Sequence, residues 1–164
     1  MLQLFGSDPE LMGQIAAQVE DGPWDILDVN MGCPVPKVVK NGDGSALLKD
    51  PKRIENIVAA MTRAVKKPVT VKIRKGFELE NECAAEAALA AEAGGADVIS
   101  LINTLTGMKI DINRRTFALA NKTGGLSGPA IKPVAVRMVY QVAQTVKVPV
   151  IGMGGICNAE DALE

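Results

Sequence analysis

The pentapeptide Asn30-Met31-Gly32-Cys33-Pro34 puts a thiol directly after the apolar run Ile26-Leu27-Asp28-Val29. Such a run reads as a buried parallel strand, and the carboxyl end of that strand is where α/β folds keep their chemistry. A thiol placed there can exchange a proton near neutral pH once neighbouring charge favours its anion. The other reading of Cys33 is a small, inert, buried residue, and on the pentapeptide alone both stand. Lys72 closes a second such run, Val69-Thr70-Val71-Lys72-Ile73, as a ligand-facing cation or as a solvated strand end. Gln3 and Asn30 add amides, each with donors and an acceptor, that can hold a ligand edge or satisfy a turn. The cysteines Cys33, Cys83 and Cys157 are widely spaced, form no CxxC pair and have no histidine beside them, so no metal site is expected.

These groups need elements to position them, and one unit recurs: a short apolar run, a loop, then a helix. Leu2 to Phe5 reads as the first strand, and Ser7-Asp8-Pro9-Glu10 then supplies a helix cap with proline and an acid in the first turn. Ile26 to Asn30 is the second strand. The Gly-rich stretch Asn41 to Ser45 and a helix from about Pro51 to Val65 follow it. Pro68 to Ile73 is the third strand, and an Ala-rich helix from about Asn81 to Ala93 stops at Gly94-Gly95, a C-cap signal. Ala96 to Asn103 and Val148 to Gly152 are the fourth and fifth strands, the latter after a helix from about Ile131 to Val146. Thr104 to Ala130 shows no period, and a loop of that length is usually functional or mobile. Strands alternating with helices imply parallel order and right-handed crossovers, hence an α/β class.

The chain of 164 residues suits one domain, 1–164, with a real core. A net charge of -1 with no histidine gives no global basic footprint for nucleic acid, although a local patch stays open. No basic n-region with an apolar core opens the sequence and no apolar run is long enough for a membrane span. With three unpaired cysteines, a reducing, cytoplasmic setting is the expectation. The first strand starts at residue 2 and Asn158 to Glu164 reads as the opening turn of a helix. An eight-stranded barrel needs about 250 residues, so the expectation is part of a TIM-type (β/α) barrel with about five parallel strands, and an open five-stranded sheet is the alternative.

The motifs resemble two families. Gln3-Leu4-Phe5-Gly6, Asp28-Val29-Asn30-Met31-Gly32-Cys33-Pro34, Gly44-Ser45-Ala46-Leu47-Leu48 and Val69-Thr70-Val71-Lys72-Ile73-Arg74 resemble tRNA-dihydrouridine synthases over Leu2 to about Phe77. Leu101-Ile102-Asn103-Thr104-Leu105, Gly124 to Pro133 and Ile151-Gly152-Met153-Gly154-Gly155 resemble class 1B dihydroorotate dehydrogenases over about Ala90 to Glu164. The expectation is a hybrid, segment 1–78 joined to segment 79–164 somewhere within Glu78 to Leu89. Both families are FMN-dependent (β/α)₈ barrels that act on the C5–C6 bond of a pyrimidine, so the resemblance implies strands equivalent to the third to seventh of such a barrel.

The resemblance also implies roles. Cys33 is the acid or base near C5 of the pyrimidine. Gln3, Asn30, Lys72, Ile102, Gly128, Gly154 and Gly155 contact FMN, with Lys72 beside the N1 side of the reduced ring. Asn30, Asn103 and Thr104 hold the substrate, either uridine in tRNA or dihydroorotate and orotate. The catalytic strand inclines the chemistry to the synthase side. Val71 and Met31 are left to the core, and Cys83 and Cys157 are structural or incidental. Set against the two families, the expectation is a chain without the synthases' tRNA-gripping helical domain and without an iron–sulfur partner, and unpaired sheet edges point to a homo-oligomer. Two other classes stand beside this reading: an α/β fragment that binds no flavin, and a phosphate-binding or nucleotide-binding module using Gly124 to Gly128.

Overall fold

The computed structural model describes residues 1–77 and 82–164. Its centre is a five-stranded parallel sheet in the order β1 (Leu2–Leu4), β2 (Leu27–Asn30), β3 (Val69–Lys72), β4 (Val98–Leu101) and β9 (Val150–Gly152). Each strand lies beside the one before it, so right-handed crossovers carry every connecting helix to the same face. Those helices are α1 (Pro9–Val19), α3 (Pro51–Ala64), α4 (Ala84–Ala93) and α5 (Lys132–Ala143), and each packs on its neighbour in that order. The sheet is open, with β1 and β9 at its edges.

Caps set the helix starts. Asp8 Oδ1 accepts the Leu11 N–H at 3.1 Å ahead of Pro9, and Asp50 Oδ1 accepts the Arg53 N–H at 3.0 Å ahead of Pro51. The core lies between sheet and helices. Leu27, Val29, Val69, Val71, Ile99 and Leu101 are buried against Met12, Ile54, Ile57, Met61, Ala88 and Met138. Met31 and Val71 are fully buried, as expected of core residues.

The structure differs from the sequence reading in three places. The Ala-rich helix begins at Ala84, and its expected start at Asn81, like the expected junction at Glu78, lies outside the described residues. A short helix α2 (Pro36–Val39) and a 3₁₀ turn over Gly44–Lys49 occupy the stretch read only as Gly-rich. Within Thr104 to Ala130, β5 (Leu105–Met108) pairs antiparallel with β8 (Thr123–Leu126), and β6 (Ile110–Asp111) with β7 (Thr116–Phe117). Half-buried Leu105 and Gly107 alternate with exposed Thr106 and Met108 in β5, but Gly107, Gly124 and Gly125 supply no side chains, so the pair writes no apolar–polar period into the sequence. The last short helix, α6 (Ala159–Leu163), is held to α5 by Lys132, whose amine sits 2.6 Å from both Asp161 Oδ1 and Glu164 Oε2. No helix among the described residues is long and apolar enough to cross a membrane.

Candidate active site

Period-two alternation makes the second face of the sheet polar. The register aligns Gln3, Asp28 and Thr70 in one row across β1, β2 and β3. Asn30, Lys72, Ser100 and Ile151 form the next row, at the carboxyl end of β2, β3, β4 and β9. Asp28, only 3% exposed, is the hub of the first row. It accepts Thr70 Oγ1 at 2.6 Å and Gln3 Nε2 at 2.6 Å, and Gln3 Oε1 in turn accepts Asn30 Nδ2 at 3.0 Å.

The loop that carries the thiol leaves β2 immediately above this row. Asn30 Oδ1 accepts the N–H groups of Gly32 at 3.1 Å and Cys33 at 3.0 Å. From the far side Asn103 Nδ2 donates to the Gly32 carbonyl at 2.7 Å, while its own Oδ1 accepts the Thr104 N–H at 2.8 Å. The Cys33 carbonyl accepts the Ser45 N–H at 2.9 Å. Gly44, at φ +58, lies so close beneath the loop that a Cβ there would fall 2.6 Å from the Cys33 oxygen. Cys33 itself is half-buried, whereas Cys83 is buried with its Sγ 3.4 Å from the Leu48 carbonyl, and Cys157 is exposed.

Lys72 Nζ donates to the Ile102 carbonyl at 3.0 Å and reaches the Ile73 carbonyl at 3.5 Å. Burial pushes this amine below the ordinary lysine range, with Asp28 opposing the shift and Arg74 adding to it. Ile102 is buried and in contact range of Gly154, at φ +127. Gly155, at φ +81, abuts the first residue of α5, so that a Cβ there would lie 2.8 Å from the Lys132 nitrogen. Gly128, at φ +92, precedes the 3₁₀ turn into α5 with open space around it. Thr104 is exposed at the foot of the hairpin.

The structure therefore joins Gln3, Asn30, Cys33 and Asn103 through direct contacts, and Lys72, Ile102 and Gly154 through another set. Thr104 is tied to the first set through Asn103, and Gly128 stands at the turn into α5. Asp28, Thr70 and Arg74 were not singled out from sequence, although all three stand inside the quoted motifs. Arg74 Nη1 is 3.5 Å from the Gly32 carbonyl and its Nε is buried without a hydrogen-bond partner. Burial pushes the guanidinium below its usual range, and the nearby Cys33 opposes that shift.

A singly wound parallel sheet with helices on one face and a polar rim at its carboxyl ends is the architecture of (β/α)-barrel proteins. The solved structure of DHODH from Eimeria tenella in complex with ferulenol has this fold in common with the chain, with a TM-score of 0.66 at 21% identity over 92% of this chain and 44% of that one. The chain belongs to the dihydrouridine synthase (Dus) family, whose model matches residues 1–105. It is also similar to curated proteins named dihydroorotate dehydrogenase B (NAD(+)), catalytic subunit. That of Lachnoclostridium phytofermentans is 56% identical over 92% of this chain and 48% of its own length. That of Maridesulfovibrio salexigens is 47% identical over 100% of this chain and 52% of its own. The chain thus spans about half the length of the curated relatives it matches. Both resemblances read from the motifs are present, but relatives of one kind match across residues 78–89, and a hybrid junction gains no support from them.

Family membership implies a flavin, and the chain's residues suit one. A half-buried cation whose charge is disfavoured by burial gains from an anionic neighbour, and Lys72 is such a group. Gly128, at φ +92 with nothing within 4 Å of where a Cβ would sit, leaves backbone open to close approach of a phosphate, whereas at Gly154 and Gly155 that direction is filled by Ile131, Lys132 and Ala135, so the turn after β9 has its backbone to offer.

Proposed function

We propose that the chain is the cysteine-bearing part of an FMN-dependent dihydroorotate dehydrogenase, acting on the C5–C6 bond of dihydroorotate. One observation carries this reading: Cys33, Asn30, Lys72 and Asn103 converge at the carboxyl ends of three adjacent strands, tied together through Gly32 and the Asn30–Lys72 register pair. The relatives, at 56% and 47% identity, support the dehydrogenase direction over the synthase direction expected from the catalytic strand.

FMN bound at this rim supplies a hydride acceptor for C6 of the substrate. The residues do the rest. The thiolate of Cys33 takes the proton from C5, so the C5–H bond breaks as the S–H bond forms and the ring gains its double bond. Asn30 and Asn103 hold the peptide that carries the thiol, and so fix the direction from which it reaches C5. Lys72 brings positive charge to the flavin side of the rim. The turns at Gly128 and at Gly154-Gly155 offer backbone N–H groups to the ribityl phosphate, with open space at Gly128, and Ile102 gives an apolar surface for the ring. The unpaired edges β1 and β9 are the surfaces on which a second copy would pair.

Reduction of uridine in tRNA at the same rim is the second reading, favoured by the Dus match over residues 1–105. FMN titration of the purified chain, followed by quenching of flavin fluorescence, tests what both require. Saturable, stoichiometric quenching is expected. Absence of binding removes both readings and leaves an α/β segment without a flavin site.

A further inference from the structure

The polar row beneath the thiol has a direction built into it. An ionised carboxylate can only accept hydrogen bonds, so Asp28 Oδ2 fixes the Gln3 amide with its NH₂ group toward β2. That leaves Gln3 Oε1 facing Asn30, which must present its own NH₂ group. Asn30 Oδ1 is thereby turned to the Gly32 and Cys33 N–H groups, both donors, so the far end of the chain demands the same orientation as the near end. A flip of Gln3 would set its oxygen against the carboxylate and its NH₂ group against that of Asn30, and a flip of Asn30 would set its oxygen against Gln3 Oε1 and its NH₂ group against the Gly32 and Cys33 N–H groups. Thr70 completes the hub by donating to Asp28 Oδ1. Both heavy atoms of the Gln3 amide thus take part in this relay.

We propose that Asp28 and Gln3 are positioning residues for Cys33: a buried carboxylate orients two side-chain amides in series, and the second of them clamps the peptide that carries the thiol. This rests on the reading of Cys33 as the proton-transferring group, but the clamp itself operates without flavin or substrate. Its loss loosens the loop and opens a half-buried thiol to solvent.

Alkylation by iodoacetamide, read by peptide mass spectrometry, reports on this directly. Cys157 is exposed and remote, and serves as the internal reference. Asn30→Ala, Gln3→Leu and Asp28→Ala are each expected to speed Cys33 relative to Cys157 by about threefold or more, near the lower end of couplings within one hydrogen-bond network. Because the links act in series, Gln3→Leu/Asn30→Ala should be no faster than Asn30→Ala alone. Asp28→Asn should restore a rate within about twofold of the parent, since its oxygen can still accept from Gln3 while its NH₂ group turns to the Thr70 hydroxyl. Gln3 lies exposed on an edge strand, so Gln3→Leu keeps the test alive if Asp28→Ala does not fold. An unchanged rate in Gln3→Leu, or additive effects in the double variant, overturns the relay. Neither result depends on whether FMN binds, so failure of the relay and failure of the proposed function are separable.

Discussion

Gly44→Ala is the sharpest perturbation of the thiol loop that leaves every site residue in place. The added Cβ would meet the Cys33 carbonyl oxygen at 2.6 Å, Val38 Cγ1 at 2.9 Å and Cys33 Cβ at 3.1 Å, at a backbone φ of +58. The left-handed conformation costs about 1–2 kcal/mol for an alanine, and reduced freedom of the unfolded chain returns part of that, leaving about 1 kcal/mol. Pressing a methyl into a backbone carbonyl adds about 1–3 kcal/mol of overpacking, because the Cys33 oxygen also holds the Ser45 N–H and cannot simply move away. The net expectation is a loss of about 2–4 kcal/mol. Gly42→Ala is the matched control: φ is +83, yet the nearest atom to its Cβ is Ser7 Oγ at 3.6 Å, an ordinary contact. It should cost about 1 kcal/mol or less. Urea unfolding followed by circular dichroism gives both values, with the slope expected to stay constant and the midpoint of Gly44→Ala to fall further. If the two variants lie within about 0.5 kcal/mol of each other, the close packing beneath Cys33 is wrong.

Three further outcomes follow from the same geometry. Lys72→Met should weaken FMN binding by about tenfold or more, the worth of one charge-assisted contact, while the far-ultraviolet spectrum is unchanged; equal affinity in the titration would remove Lys72 from the flavin side. Cys33→Ala should bind FMN as the parent does and lose turnover of dihydroorotate, and retained turnover would take the thiol out of the mechanism. The Asp161 carboxyl is held below its usual range, chiefly by the Lys132 amine and also by the Cys157 N–H. A depressed carboxyl contributes stability above its unfolded value, here 3.8, and loses it as pH falls through the lower folded value. The protection factors of the Cys157 and Asp161 amides, taken relative to the intrinsic exchange rate at each pH, should therefore hold at pH 5 and fall as acid protonates Asp161; protection factors that do not change with pH contradict the clamp on α6.

Much of the frame was legible because burial on the helix side writes itself into sequence. Leu27 and Val29, and Val69 and Val71, mark strands whose helix-facing residues are fully packed, and the Asp8-Pro9 and Asp50-Pro51 pairs mark helix starts at the positions observed. Asn30 and Lys72 were legible as strand-end groups, and the parallel register does pair them. The Gln3–Asp28–Asn30 contacts were not, since they depend on how β1 is registered against β2, which no local pattern encodes. Arg74 was passed over because its motif was read for the lysine two residues earlier. The hairpin from Leu105 to Leu126 was missed for a different reason: its half-buried positions include glycines, Gly107 and Gly124, which leave no apolar period to read.

The most direct test of the account is anaerobic mixing of the FMN-loaded chain with dihydroorotate, watching the flavin absorption band, with Cys33→Ala run beside it. The account predicts that the band bleaches in the parent and persists in the variant. Bleaching in both, or in neither while FMN is bound, would contradict it.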